Sequence, residues 1–184
     1  MDTIELFCGT KSFSKVAWAL GHRTLTVDID PGHQPDIQAD IGTLDPRVLP
    51  PGPVILWASP PCEAFSVAAI GRNWNLDGSP KHQRAVVAQA LVGKTVDIVW
   101  ECAPEWWFIE NPRGMLRKLR WFEEKIRVMG GIRRTVGYCQ YGDMRQKPTD
   151  IWTNAYWWHP RALCAPRAGC HEGRPGARSR AHKA

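Results

Sequence analysis

The feature that most constrains the fold is a short apolar run that ends in a glycine turn and leads into a helix and a second run. Residues 4–7 are mainly apolar and lead into the turn at Gly9. Ser12 is placed to cap a helix that stops at Gly21, and residues 24–29 then alternate in polarity as a strand does. This order predicts a β-α-β unit of a parallel sheet, in which ligands bind at the carboxyl ends of the strands.

The same succession of apolar runs and helical patterns continues along the chain. The further elements predicted are strands over residues 53–58, 106–109, 132–139 and 150–158 and helices over residues 85–99 and 115–129. Residues 67–84 contain Gly, Asn, Pro and mixed charges, which predict a mobile loop. We therefore expect a Rossmann-like three-layer α/β/α sandwich with a mostly parallel sheet over residues 1–160, followed by a basic, irregular tail over residues 161–184.

The net charge of +6 is concentrated in this tail, since six basic residues and one acid follow Pro160. Such a tail is either solvated or in contact with the phosphates of a polyanionic partner. The chain has no apolar run of about 18 residues that would span a membrane. Its first residues also lack the basic start and apolar stretch of a signal peptide. We therefore expect a cytoplasmic protein whose six cysteines are buried, catalytic or metal-bound rather than paired in disulfides.

Three residues follow predicted buried strands directly and are expected to meet in one crevice: Gly9, Cys62 and Glu110. Two prolines stiffen the turn before Cys62 and hold its thiol at the end of a strand. A packing role is the usual alternative for a cysteine, and it is the interpretation that we favour for Cys102. For Cys62 we favour a nucleophile, whose thiolate requires nearby positive charge or amide dipoles.

Glu110 follows a strongly apolar strand, so partial desolvation is expected to raise its pKa and let it share a proton near neutrality. The alternative is a solvated acid that caps the next helix. An acid–base role is favoured because Cys62 is predicted to lie in the same crevice.

Five segments of the chain carry a resemblance to a known family: LFCGT at 6–10, VDID at 27–30, SPPCEAFS at 59–66, ENP at 110–112 and QYGDMRQK at 140–147. In this order they resemble the motifs of DNA cytosine-5 methyltransferases, above all the compact forms carried by bacteriophages. The resemblance covers about residues 4–154, and its most specific parts are the segments around Cys62 and Glu110.

The resemblance implies that the chain transfers a methyl group from S-adenosylmethionine to C5 of cytosine in DNA. Cys62 would form a covalent bond to C6, Glu110 would bind N3 and the exocyclic amine, and Arg145 would lie near the target base. That base must be flipped out of a duplex or already be single-stranded. The setting implied is the cytoplasm of a bacterium or of a phage-infected host.

The same resemblance places the cofactor around the first strands, with Asp28 on the ribose hydroxyls and Asp40 on the adenine amine. The residues implied for S-adenosylmethionine are Phe7, Gly9, Thr10, Lys11, Asp28, Ile29, Asp40, Ile41 and Pro60. Turn and cap roles are the alternatives for Asp28 and Asp40. The residues implied for contact with nucleic acid are Ser66, Arg72, Asn73, Lys81 and Lys147. For Arg145 the alternative is an ordinary surface cation.

The chain departs from the family pattern at several points. Lys11 stands where a second glycine is usual, and it either pairs with the carboxylate of the cofactor or points to solvent. Pro112 replaces a common valine, and the basic motif around Arg145 is kept only loosely. No separate target-recognition domain and no returning segment that completes the cofactor pocket are evident. Sequence specificity is therefore expected to be low or to come from a partner protein.

Two alternatives to the DNA methyltransferase interpretation stay open. One is the same chemistry on RNA or on a free cytosine nucleotide, and the other is a catalytically weak protein that keeps the fold to bind nucleic acid. A zinc site at His159, Cys164, Cys170 and His171 is a further possibility. Their spacing matches no familiar zinc finger, so we favour a tail without metal.

Overall fold

The computed structural model describes residues 2–165 and 169–171, and its centre is one seven-stranded sheet. The strands are β1 (Asp2–Leu6), β2 (Arg23–Asp28), β3 (Ile37–Gln38), β4 (Ile55–Ala58), β5 (Trp106–Pro112), β6 (Ile132–Gly137) and β7 (Pro148–Thr153). Their order across the sheet is β3-β2-β1-β4-β5-β7-β6, and β7 runs antiparallel to both of its neighbours. The helices are α1 (Ser12–Ala19), α2 (Ile70–Asn73), α3 (Gln83–Cys102) and α4 (Arg120–Val128). The predicted Rossmann-like α/β architecture with a mostly parallel sheet is confirmed.

The central strands form because their apolar side chains are completely removed from water. Ile4 and Leu6 of β1, Leu56 of β4 and Ile109 of β5 are all fully buried in one core. Burial of each such side chain stabilises the fold by roughly 1.5–3 kcal/mol. Since β1 pairs with β2 on one side and with β4 on the other, the strand order reverses beside β1 and opens a crevice at the carboxyl ends of these strands.

The predicted continuous helix over residues 115–129 is interrupted in the structure. A 3-10 turn over Leu116–Lys118 comes first, and α4 begins only at Arg120, after Leu119 has adopted an extended conformation. The apolar side chains at this spacing are nevertheless buried, apart from Met129, which is partly buried against the core. The pattern therefore predicted which residues enter the core, but it did not predict that they belong to a 3-10 turn and a separate short helix.

The interpretation of residues 67–84 as a mobile loop is wrong. This segment contains a 3-10 turn over Val67–Ala69, then α2, and a bridge between Trp74 and Pro80. Trp74 is buried, its ring stacks on Phe65 with 5.4 Å between centroids, and its indole N–H donates to the carbonyl of Ala64 at 2.7 Å. These contacts anchor a segment whose composition alone is typical of a loop.

Only part of the predicted tail can be compared with the structure. Residues 161–165 have no regular secondary structure. Most basic residues of the tail lie outside the described residues, namely Arg167, Arg174, Arg178, Arg180 and Lys183. Among the helices that the structure describes, not one is both long enough and apolar enough to cross a bilayer.

Candidate active site

The acid at the end of β2 fixes the conformation of the turn that follows β1. Phe7, Gly9 and Lys11 all have positive φ angles, of 57°, 44° and 56°, so the chain winds tightly here. Asp28 fixes this turn, because its Oδ2 accepts the Gly9 N–H at 2.8 Å and its Oδ1 accepts the Asp30 N–H at 2.9 Å. Each carboxylate oxygen keeps further lone pairs, so Asp28 can still accept hydrogen bonds from a ligand.

Lys11 occupies a left-handed backbone position, which explains why glycine is usual there in the family that the sequence resembles. A side chain in this conformation costs roughly 1–2 kcal/mol, a penalty that glycine avoids. The ammonium group of Lys11 donates to the Gln34 carbonyl at 2.5 Å and lies 5.8 Å from the centre of the Trp18 ring. Lys11 therefore links the glycine turn to the segment after β2.

The remaining residues predicted to bind cofactor differ in what they can offer. Ile29 directs an apolar side chain to solvent beside Asp28, with 63% of it exposed, and Thr10 is also exposed. Asp40 is exposed, and its Oδ1 caps the Gly42 N–H at 2.8 Å. Ile41 differs from the prediction, because its side chain is buried in the core and leaves only its backbone for a ligand.

Cys62 lies in a tight turn directly after β4. Its carbonyl accepts the N–H groups of Phe65 and Ser66, both at 3.0 Å, and its thiol is half-buried. Burial raises the pKa of the Cys62 thiol, and the negative charges of Glu63 and Glu110 raise it further, while the positive charge of Lys147 opposes them. The thiol is therefore protonated at neutral pH, and a charged or polar partner must help it to react as a thiolate.

Glu110 is buried within β5 rather than after it, with 8% of the residue exposed. Burial raises the pKa of its carboxyl, and the Tyr138 hydroxyl, Lys147 and Ser59 each counteract the shift. The Tyr138 hydroxyl donates to Glu110 Oε1 at 3.0 Å, and the Lys147 ammonium lies 4.8 Å from the centre of the Tyr138 ring. Sequence reasoning missed Tyr138, because nothing local to it indicates that its strand end faces Glu110.

Asn111 ties the two candidate catalytic residues together. It is fully buried, and its side-chain Nδ2 donates to the Pro60 carbonyl at 3.0 Å, so β5 is fastened to the turn that carries Cys62. Among the described residues its Oδ1 has no hydrogen-bond partner. Cys62, Glu110 and Lys147 lie close enough for their charges to act on one another.

The basic residues predicted to act on nucleic acid are only partly placed as expected. The guanidinium of Arg145 is exposed and pairs with Asp143, at 2.8 Å between Nη2 and Oδ2. The positive charge that lowers the pKa of Glu110 is that of Lys147. Arg72 and Lys81 are exposed, Ser66 is half-buried, and Lys81 donates to the Gly71 carbonyl at 2.9 Å. Asn73 differs from the prediction, since it is buried and its amide donates to the Ala64 carbonyl at 3.3 Å.

Gly114 is required by a close approach of two segments at the crevice. A Cβ atom at this position would lie 2.1 Å from the carbonyl oxygen of Phe65, and the neighbouring Met115 N–H donates to that same oxygen at 2.6 Å. The chain after β5 thus packs directly on the turn that follows Cys62.

Gly114→Ala is therefore expected to push this turn away, to lower the free energy of unfolding by about 1–3 kcal/mol and to speed alkylation of Cys62. Urea unfolding and iodoacetamide labelling followed by peptide mass spectrometry measure both effects. Gly71→Ala is the matched control, because no atom lies within 4 Å of its added Cβ. A Gly114→Ala variant with the unfolding midpoint and labelling rate of the native protein would contradict this packing.

Comparison with known proteins shows what the chain as a whole is similar to. No protein-family model matches the chain. A protein of Frog virus 3 (isolate Goorha), named as a probable DNA (cytosine-5)-methyltransferase, is 28% identical over an alignment of 179 residues, which covers 92% of this chain and 78% of the viral protein.

Solved structures show the fold. A protein described as a DNA modification methyltransferase, encoded within an E. coli prophage, matches with a TM-score of 0.62 and 17% identity over 83% of this chain and 46% of its own. The Dnmt2 methyltransferase of S. pombe matches with a TM-score of 0.58 and 13% identity over 87% of this chain and 52% of its own. The chain thus spans about half the length of these solved structures.

The bacteriophage subgroup stays a prediction. The chain has the methyltransferase fold, and its resemblance to the DNA cytosine-5 methyltransferase family is confirmed.

Proposed function

We propose that the chain transfers the methyl group of S-adenosylmethionine to C5 of cytosine in DNA, through a covalent bond between Cys62 and C6. The observation that carries the proposal is the crevice in which Asn111 fastens the Cys62 turn beside Glu110. A thiol and a proton-sharing carboxyl are the two groups that this reaction requires of a protein. DNA is the favoured substrate because the viral relative is named as a DNA methyltransferase.

The turn after β1 fits S-adenosylmethionine. Above Gly9 the space is open, since a Cβ there would meet nothing nearer than the Phe7 carbonyl at 4.0 Å. Asp28 would accept the ribose hydroxyls with its remaining lone pairs, and the exposed Ile29 would cover an apolar face of the adenine. When bound, the cofactor supplies an electrophilic methyl group.

Addition of Cys62 activates the cytosine ring. The sulfur loses its proton and forms a bond to C6, and the ring electrons move toward N3. The raised pKa of Glu110 favours its protonated form, which donates to N3 and stabilises the charge that develops there. Lys147 favours the thiolate that starts the reaction.

Elimination restores the protein. Once C5 has accepted the methyl group, a base takes the C5 proton, the S–C6 bond breaks, and its electrons return to Cys62. The net change is one methyl group in place of one hydrogen. Both reacting carbons are covered in a stacked duplex, so the base must leave the stack. Lys147 and Arg145 are the cations that we propose contact the phosphates.

The test measures product and substrate class together. The purified chain is incubated with methyl-labelled S-adenosylmethionine and with DNA, RNA of the same sequence, or dCMP, and the nucleosides are analysed by mass spectrometry. We expect labelled 5-methyl-2′-deoxycytidine from the DNA. DNA whose cytosines are all methylated at C5 is the control and should take up no label. Label in RNA or dCMP alone, or in none of the three, would overturn the proposal.

A further inference from the structure

Four side chains outside the crevice bring metal-ligating atoms together. The sulfurs of Cys139, Cys164 and Cys170 and a ring nitrogen of His171 all lie within 4.8 Å of one another. Cys139 belongs to the 3-10 turn over Tyr138–Tyr141 that follows β6, while the other three belong to the irregular segment after β7. Two segments far apart in sequence thus contribute to one cluster.

Three of the distances in this cluster are close to the edges of a tetrahedron around zinc. The Cys139 and Cys164 sulfurs are 3.4 Å apart, and His171 Nδ1 lies 3.7 Å from the Cys164 sulfur and 3.4 Å from the Cys170 sulfur. Zinc bonds of about 2.3 Å to sulfur and about 2.0 Å to nitrogen give edges of roughly 3.8 Å and 3.6 Å. A disulfide would bring two sulfurs to about 2.05 Å, far closer than the pair observed.

The surroundings of the cluster suit thiolates. The side-chain amide of Gln140 donates to the Cys170 sulfur at 3.4 Å and to the Cys139 sulfur at 3.7 Å. The amide of Gln146 donates to the Cys164 sulfur at 3.1 Å. Donors of this kind orient metal ligands and stabilise their negative charge.

The ligand set differs from the one that the sequence suggested. His159 is exposed and does not belong to the cluster, and Cys139 takes its place. Cys139 lies 25 residues before Cys164, so no zinc-finger spacing is apparent along the chain.

We propose that Cys139, Cys164, Cys170 and His171 bind one zinc ion in a structural site. Four protein ligands leave no open position for a water molecule, which distinguishes a structural site from a catalytic one. The ion would fasten the segment after β7 to the turn that carries Tyr138. Gln146 extends this link, because its carbonyl accepts the Tyr138 N–H at 2.9 Å and its chain neighbour is Lys147. The proposal does not depend on the proposed methyl transfer.

Metal analysis of the purified full chain tests the site directly. We expect one zinc per chain by plasma mass spectrometry. Cobalt(II) added to the metal-free chain should give the visible bands of a tetrahedral ion and a thiolate charge-transfer band, both lost when zinc is added. Absence of stoichiometric zinc together with an octahedral cobalt spectrum would overturn the proposal.

A matched pair of histidine variants identifies the ligands. His171→Ala is expected to weaken zinc binding on the order of 100-fold or more, whereas His159→Ala should keep it unchanged. Cys164→Ser and Cys102→Ser form the corresponding cysteine pair, since Cys102 lies at the end of α3, outside the cluster. Zinc loss from His159→Ala but not from His171→Ala would overturn the assignment.

Removal of zinc with a chelator tests the structural role in the native chain, without a variant that must first fold. Removal of zinc from the native chain should leave the far-ultraviolet circular dichroism nearly unchanged, because the sheet does not depend on the tail. Trypsin should then cleave after Arg161 at least severalfold faster, and zinc should restore protection. In the structure the Arg161 guanidinium donates to the Gln140 carbonyl at 2.6 Å, next to Cys139. Equal cleavage rates with and without zinc would overturn the structural role.

Discussion

Cys62→Ala is expected to abolish methyl transfer, with a loss on the order of 10⁴-fold or more, as for removal of a covalent nucleophile. The reason is that cytosine C5 is a poor nucleophile until a sulfur has added to C6. Transfer of labelled methyl groups to DNA measures the loss, and circular dichroism shows that the variant is folded. Cys102→Ala removes a cysteine outside the crevice and should retain activity.

The covalent bond itself can be trapped. Fluorine at C5 cannot leave as a proton does, so DNA that contains 5-fluorocytosine should accumulate an adduct with the protein in the presence of S-adenosylmethionine. Peptide mass spectrometry should place the adduct on Cys62. An adduct on another cysteine, or full activity of Cys62→Ala, would exclude the assigned role.

Glu110→Gln is expected to reduce kcat/KM by about 10²–10⁴-fold, the usual contribution of a general acid. Glutamine is nearly isosteric and can still accept from the Tyr138 hydroxyl, so the fold should be kept. It cannot, however, provide a proton at N3. Activity within threefold of the native protein would rule out a proton-sharing role.

The dependence of kcat/KM on pH distinguishes loss of the Glu110 proton from a general disturbance of the structure. The reactive form needs Cys62 without its proton and Glu110 with its proton, and both pKa values are raised above their ordinary values of 9.0 and 4.5. For the native protein, kcat/KM should rise with pH up to the pKa of Glu110. It should stay level between the two pKa values and fall above the pKa of Cys62. In Glu110→Gln it should instead keep rising up to the pKa of Cys62, which is itself lowered by loss of a negative charge.

Glu63→Gln is the matched control for this profile. Glu63 is exposed and raises the pKa of Cys62 by its charge alone. Its replacement should keep the level region and move the alkaline fall to lower pH, without the large loss of rate. If both variants gave the same profile, Glu110 would act only through its charge.

The fold and the meeting of Cys62 with Glu110 could be predicted because both follow from local patterns. Apolar runs mark the strands, and the carboxyl ends of parallel strands meet at one edge of the sheet. Residues near such ends are therefore brought close to one another. The catalytic roles of these residues stay predictions until they are tested.

Other parts of the site could not be predicted because they depend on contacts between distant segments. Tyr138 follows β6, which β7 separates from β5, so its contact with Glu110 depends on the order of the strands. The sequence around Asn73 is typical of a loop, whereas in the structure its amide donates to the Ala64 carbonyl. Gly114 has no local signal, since its requirement comes from the Phe65 carbonyl. In each case the deciding atom belongs to another part of the chain.

The antiparallel pairing of β5 with β7 makes correct assembly of the sheet a condition for activity. Glu110 lies opposite Ile151 and Asn111 opposite Asp150. Since neighbouring side chains of a strand point to opposite faces, a slip of one residue in β5 would exchange the directions of Glu110 and Asn111. A refolded molecule in the wrong register would keep its secondary structure but turn Glu110 away from the position that the proposed function requires. Recovery of activity during refolding therefore reports the register of this strand pair, which circular dichroism does not distinguish.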